Sequence, residues 1–219
     1  MKKIVSIIVI VLGIFSLLVL FSACTDESAS TADSTLTISE GDLTEREEFL
    51  LSSLTEQSFM YDFAIEGGHE GLALYVEKFV YGEQEEYPVG SIIIEEIDES
   101  GSLLFAINRP DIESDERSFI FGVESDGNWS TVTSMDRMTI EEDELAATLS
   151  ESAASDGNDM TVTEGTVILA SIIHANGEKG ISTLTHEFYE DVEGNLDEIE
   201  AYETVYLLTV EFFHDGDLD

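Results

Sequence analysis

Positive charge is the scarcest property of this sequence: eight Lys and Arg stand against 48 Asp and Glu, a formal net charge of −40. Beyond Lys2 and Lys3, the basic residues are Arg46, Lys78, Arg109, Arg117, Arg137 and Lys179, scattered singly along the chain. A row of phosphates is held by clustered cations, so nucleic acid is not expected as a partner. Cysteine occurs once, at Cys24, which excludes a disulfide framework within the chain. Catalytic templates are missing as well. There is no Gly-x-Ser-x-Gly elbow, and neither His69-Glu70 nor His186-Glu187 is followed by a second His at zinc-protease spacing. A glycine-rich phosphate loop and a dinucleotide fingerprint are also absent. No catalytic residue and no cofactor-binding residue is therefore assigned, and the balance is against an enzyme.

What is present supports folding. In 219 residues, 43% are hydrophobic and 9% aromatic, enough for one domain with a sizeable core despite the charge. Residues 1–23 open with two lysines and continue as an almost uninterrupted apolar run from Ile4 to Phe21, ending in Ser22 and Ala23. Lysines held on the negative side of a membrane, an apolar helix and a small-residue cleavage site are the parts of an export signal. The run is also long enough to serve as an uncleaved anchor, since about 20 apolar residues span a bilayer. Residues 24–41 then turn rich in Ser, Thr, Ala, Asp and Glu. That composition predicts a disordered acidic tether, with a single domain over 42–219.

Leu20-Phe21-Ser22-Ala23-Cys24 resembles the lipobox of bacterial lipoproteins, departing from it at Phe21, where leucine is usual. The layout of signal, lipobox, acidic tether and β-rich domain is similar to that of small uncharacterised lipoproteins of bacillus-type Gram-positive bacteria. The resemblance implies diacylglyceryl modification of Cys24, which becomes the mature N-terminus, and palmitate-class acyl chains that hold the protein on the extracytoplasmic face of the cell membrane. It carries over no catalytic residue. Without the signal the chain has six basic residues and a charge of −42. Self-repulsion of that size is relieved when salt shortens the screening length, to about 3 Å at 1 M. A halophilic, salt-adapted surface is the expectation.

Within 42–219, short runs of Phe, Tyr, Val and Ile separated by turn residues predict about eight strands: 59–65, 72–81, 91–97, 103–108, 118–123, 129–134, 166–174 and 203–213. Gly67-Gly68, Gly82, Asp126-Gly127 and Asn176-Gly177 supply the turns. Phe119, Phe121 and Val123 alternate onto one face, whereas Ile92, Ile93 and Ile94 read as buried on both faces. One to three short helices complete the picture. One lies in 42–57, capped by Asp42 and the Thr44-x-x-Glu47 box, and others are expected in 139–151 and 188–201. Residues 150–164 read as a loop. The fold class is therefore mainly β, an antiparallel sandwich.

Candidate sites are few. Asp191, Glu193, Asn195 and Asp197 form the most concentrated run of oxygen ligands and are assigned to Ca²⁺, although the EF-hand spacing is absent. Trp129, beside the Asp126-Gly127 turn, is a candidate stacking platform for a ligand, or a lid over the core edge. Tyr75, Phe79 and Tyr81, two to four residues apart on one predicted strand, offer the same two readings. The leading functional expectation is a non-enzymatic, lipid-anchored binding or accessory module with a protein partner at the cell envelope. A Ca²⁺-dependent or cation-sensing module is the alternative. An envelope hydrolase using dispersed carboxylates is a third, because a glycosidase-spaced pair arises readily in so acidic a chain.

Overall fold

The computed structural model describes residues 35–66, 71–108, 116–137, 146–153, 159–162, 166–176 and 180–214. Cys24 and the signal, Arg109, His69, Lys179 and, within the 150–164 stretch, residues 154–158, 163 and 164 lie outside the described residues. Each of the eight predicted strands is present. In chain order the strands are β1 (Thr35–Glu40), β2 (Gln57–Glu66), β3 (Gly71–Val80), β4 (Glu83–Gln84), β5 (Gly90–Ile94), β6 (Ser100–Asn108), β7 (Glu116–Ser125), β8 (Asn128–Arg137), β9 (Ala146–Ser152), β10 (Met160–Val162), β11 (Thr166–Asn176) and β12 (Thr204–Phe213). They form two antiparallel sheets. The first has the order β10-β1-β2-β6-β7-β8; the second runs β4-β3-β12-β11-β9, with β5 alongside β4 on the same edge of β3. This is a β-sandwich, and among the described residues no long helix lies between its strands.

Alternation explains which side chains meet. Leu36 and Ile38, Tyr61 and Phe63, Leu103 and Phe105, and Phe119 and Phe121 point from the first sheet onto Leu72, Leu74, Val76, Ile172, Leu208 and Val210 of the second. Tyr61 also ties the sheets together through hydrogen bonds: its hydroxyl donates to the Leu169 carbonyl at 2.6 Å and can accept from Ser152 Oγ at 3.0 Å. The second sheet is covered on its other face too. Phe79, Ile173, Ala175, Val205 and Leu207 lie under Leu184, Phe188, Ile199 and Tyr202. These come from a segment holding α2 (His186–Glu190) and a short 3₁₀ helix (Glu193–Glu198). Burial on both faces accounts for the unbroken apolar run of β12.

Two turns show local chemistry deciding register. Tyr81-Gly82 joins β3 to β4 and Asp126-Gly127 joins β7 to β8, and all four residues have positive φ. That is the conformation of two-residue hairpins, which Asp-Gly adopts readily. α1 (Glu45–Leu54) is capped by the Thr44 and Glu47 box, as predicted, but buries no residue. It leaves Phe49, Leu50 and Leu54 exposed.

Several expectations are corrected. The sandwich begins at Thr35, inside the stretch read as tether, because Leu36 and Ile38 alternate inward with only small polar residues between them. Part of the helix expected in 139–151 is strand β9, which pairs with β11. Met160–Val162, read as loop, pairs with β1. Ile93 is 53% exposed rather than buried, since β5 lies at an edge and only Ile92 and Ile94 turn inward.

Candidate functional site

One end of the sandwich gathers the side chains that alternation does not fill with hydrocarbon. A cleft of about 310 Å³ opens there between the sheets, lined by Glu56, Gln57, Ile107, Arg117, Phe119, Thr148, His174 and Tyr206. β2 starts at this end, β6 ends there, and β7, β9 and β12 start there. The first sheet therefore contributes Arg117 and Phe119, and the second contributes His174 and Tyr206.

Arg117 is only 6% exposed, and a cation so buried requires partners. Its Nε lies 3.2 Å from Glu56 Oε2, and Nη1 donates to the Glu116 carbonyl at 3.3 Å. Directly opposite Arg117 on β8 is Asp136. The Asp136 carboxylate accepts from Lys78 Nζ at 2.8 Å and from the Tyr206 hydroxyl at 2.7 Å. Lys78 Nζ sits 5.9 Å from the Tyr206 ring centroid. Arg137 completes the group through Glu116 Oε1 at 3.1 Å. Three cations that look isolated in sequence, Lys78, Arg117 and Arg137, thus converge at one end, each set against a carboxylate. Local charge balances there, in a molecule that is otherwise strongly negative.

The titrating groups respond to this setting. Burial, assisted by the nearby Arg117 charge, lowers His174 from its usual value to about 4, so the ring is neutral near pH 7. His174 Nδ1 lies 2.9 Å from Thr148 Oγ1, and its ring meets Tyr206 edge-on at 5.8 Å. Burial, and then the Asp136 carboxylate, pushes the Tyr206 phenol well above its ordinary range, keeping it a proton donor. Perturbed groups converging in a cleft mark a functional-site candidate. Chemically, this one offers a guanidinium, a phenol and a neutral imidazole beside the apolar walls of Ile107 and Phe119.

The residues singled out from sequence lie elsewhere. Asp191, Glu193, Asn195 and Asp197 follow α2, where two of them serve the local turn. Asp191 Oδ1 accepts from the Gly194 N–H at 3.0 Å, and Asn195 Nδ2 donates to the Asp191 and Glu187 carbonyls. Among the described residues, no three His, Cys, Asp or Glu side chains converge as a metal site. Trp129 is 53% exposed on the outer face of the first sheet, beside Gly122 of β7. Phe79 is buried beneath the helical segment and Tyr81 occupies a turn, so the aromatic trio makes no common surface. A second hollow, of about 290 Å³, lies at the opposite end and is lined by Glu96, Asp98 and Asp126 without a cation. Among the described residues, no helix is long and apolar enough to cross a membrane.

Sequence reasoning missed Glu56, Lys78, Arg117, Asp136, His174 and Tyr206. Their partners are tens of residues away, and the available signal was only the rarity of cations at inward-facing strand positions. No curated protein and no solved structure matches the chain significantly. A family model, the YgaN domain, matches residues 37–212, from within β1 to within β12, and so spans every cleft residue.

Proposed function

The chain belongs to the YgaN domain family, and on that premise we propose that it is a lipid-anchored, non-enzymatic binding module on the extracytoplasmic face of the cell membrane. Its recognition site is the Arg117 cleft, and its ligand carries an acidic group on an apolar body. The observation that carries this reading is a nearly buried Arg117 set in one half-apolar cleft, in a chain with six basic residues after the signal.

Glu56 supports the ligand chemistry. Its side chain is 42% exposed while that of Arg117 is 7% exposed, so the carboxylate is the outer, exchangeable half of the pair. A ligand carboxylate of the same shape takes that position on the guanidinium. Chain direction supports the placement. Ten residues separate Cys24 from Thr35, a reach of about 35 Å at full extension. Thr35 pairs with Glu66, at the end of the first sheet opposite the cleft. The described part of the chain thus begins at the end of the sandwich away from the cleft. The acidic remainder of the surface is suited to high salt.

Two measurements on the full chain test the reading. Mass spectrometry of the native chain extracted in detergent is expected to show an N-terminal peptide that begins at Cys24 and carries diacylglycerol, and an unmodified Cys24 or an intact 1–23 segment refutes lipid anchoring. Benzoate, as an aryl carboxylate probe, is expected to raise the unfolding midpoint saturably, and Arg117→Gln to remove that response. A midpoint that follows only total ionic strength refutes the cleft as a binding site.

A further inference from the structure

Over residues 128–135, strand β8 is a largely exposed, uncharged edge of an acidic molecule. Among the described residues it pairs only with β7, leaving its other side at the border of the first sheet. Residues 128–133 are all exposed, and 128–135 carry no charged side chain in a chain with 48 acids. Such edges are ordinarily guarded by lysine, proline or a bulge, and 128–135 contains none of these. Trp129 and Met135, 53% and 50% exposed, stand on the outer face with Thr131 and Thr133 between them.

We propose that this edge is a self-association surface, on which β8 of a second copy adds antiparallel about a two-fold axis at Val132. The pattern of the strand is self-complementary in that register. Trp129 falls opposite Met135 of the second copy, a sulfur–aromatic pair. Thr131 meets Thr133, Ser130 meets Ser134, and Asn128 meets Asp136, so no carboxylate faces another. Moving the axis to Thr131 would set Asp126 against Asp136, which like-charge repulsion disfavours. Ser134 Oγ is occupied by the Val89 carbonyl at 2.5 Å from the side of the second sheet, and the pairing needs only the backbone of that residue. The contact is isologous and closed, joining two sheets into one without a filament. Because the rest of each copy is strongly negative, association strengthens as salt screens the repulsion.

Trp129 is the only tryptophan of the chain and therefore reports on the contact. With the full chain in phosphatidylcholine vesicles, raising its surface density is expected to shift Trp129 emission to shorter wavelength. The shift should be larger at about 1 M than at about 0.1 M NaCl, where the screening length is about 3 Å against about 10 Å. Val132→Lys, which sets two ammonium groups face to face at the axis, is expected to abolish the shift with unchanged circular dichroism. Independently of how that variant folds, oxidation of Val132→Cys is expected to give a covalent dimer, with the native chain oxidised in parallel giving none. Thr37→Cys, on β1, is expected to give none. Emission independent of density at both salt concentrations, or equal cross-linking of the two cysteine variants, overturns the proposal.

Discussion

Acidification should expose the buried imidazole of His174 as a stability liability. In the folded chain this ring has its pKa lowered to about 4 by burial and by Arg117. Unfolded, it titrates near 6.5. The unfolded state therefore binds more protons between these values, and stability contributed by the neutral ring is present at pH 7 and lost as pH falls. At about 1.4 kcal/mol per pH unit of difference, the loss is about 2 kcal/mol by pH 5 and about 3 kcal/mol by pH 4. Other groups push the opposite way over the same range. Protonation of the many carboxylates relieves self-repulsion, and Glu77, raised by burial, favours the folded state when protonated. The informative quantity is therefore the difference between the native chain and His174→Asn, followed by urea unfolding from about pH 8 to about pH 4. The native chain should lose stability relative to the variant by the amounts above, with the change centred below pH 6.5. Parallel curves for the two proteins would refute the claim that this ring is held neutral in the cleft.

Four further outcomes follow from the packing. Tyr61→Phe removes the hydroxyl that joins the sheets at Leu169 and Ser152, and should cost about 1–3 kcal/mol in denaturant unfolding. Leu36→Ala, in the strand the composition disguised as tether, should cost about 2–5 kcal/mol. The same truncation at Leu54, 67% exposed on α1, should change stability by less than about 0.5 kcal/mol. Gly101→Ala should lower the unfolding midpoint, because the added methyl meets the Glu124 carbonyl and lies 2.7 Å from the Phe63 ring.

How far the sequence reaches is visible in particular strands. β7 was legible because Phe119, Phe121 and Val123 alternate with smaller or more exposed neighbours and end at Asp126-Gly127. The Thr44–Glu47 box likewise announced α1. β1 and β10 were not legible, since two or three inward side chains among Ser, Thr and Glu are too few to separate a strand from a tether or loop. β9 was mistaken because Ala146, Ala147 and Leu149 favour a helix in isolation, and pairing with β11 overrides that preference. The cleft was invisible for a different reason. Arg117 and Asp136 face each other across a hairpin, but Lys78, His174 and Tyr206 arrive from the other sheet, and nothing in one strand's pattern records which strand it will oppose. The acidic run from Asp191 to Asp197 attracted attention by local density, and the fold uses part of it to close a turn.

The central claim is that the cleft beside Arg117 receives an acidic group on an apolar body, and the His174 ring, which lines it, is the nearest reporter. Titrating benzoate into the full chain in detergent micelles at constant ionic strength, while recording the imidazole proton resonances of the four histidines, tests it directly. The account predicts a saturable shift of one resonance, identified by its loss in His174→Asn, with His69, His186 and His214 unmoved. No shift of the His174 resonance, or parallel shifts of all four, would contradict it.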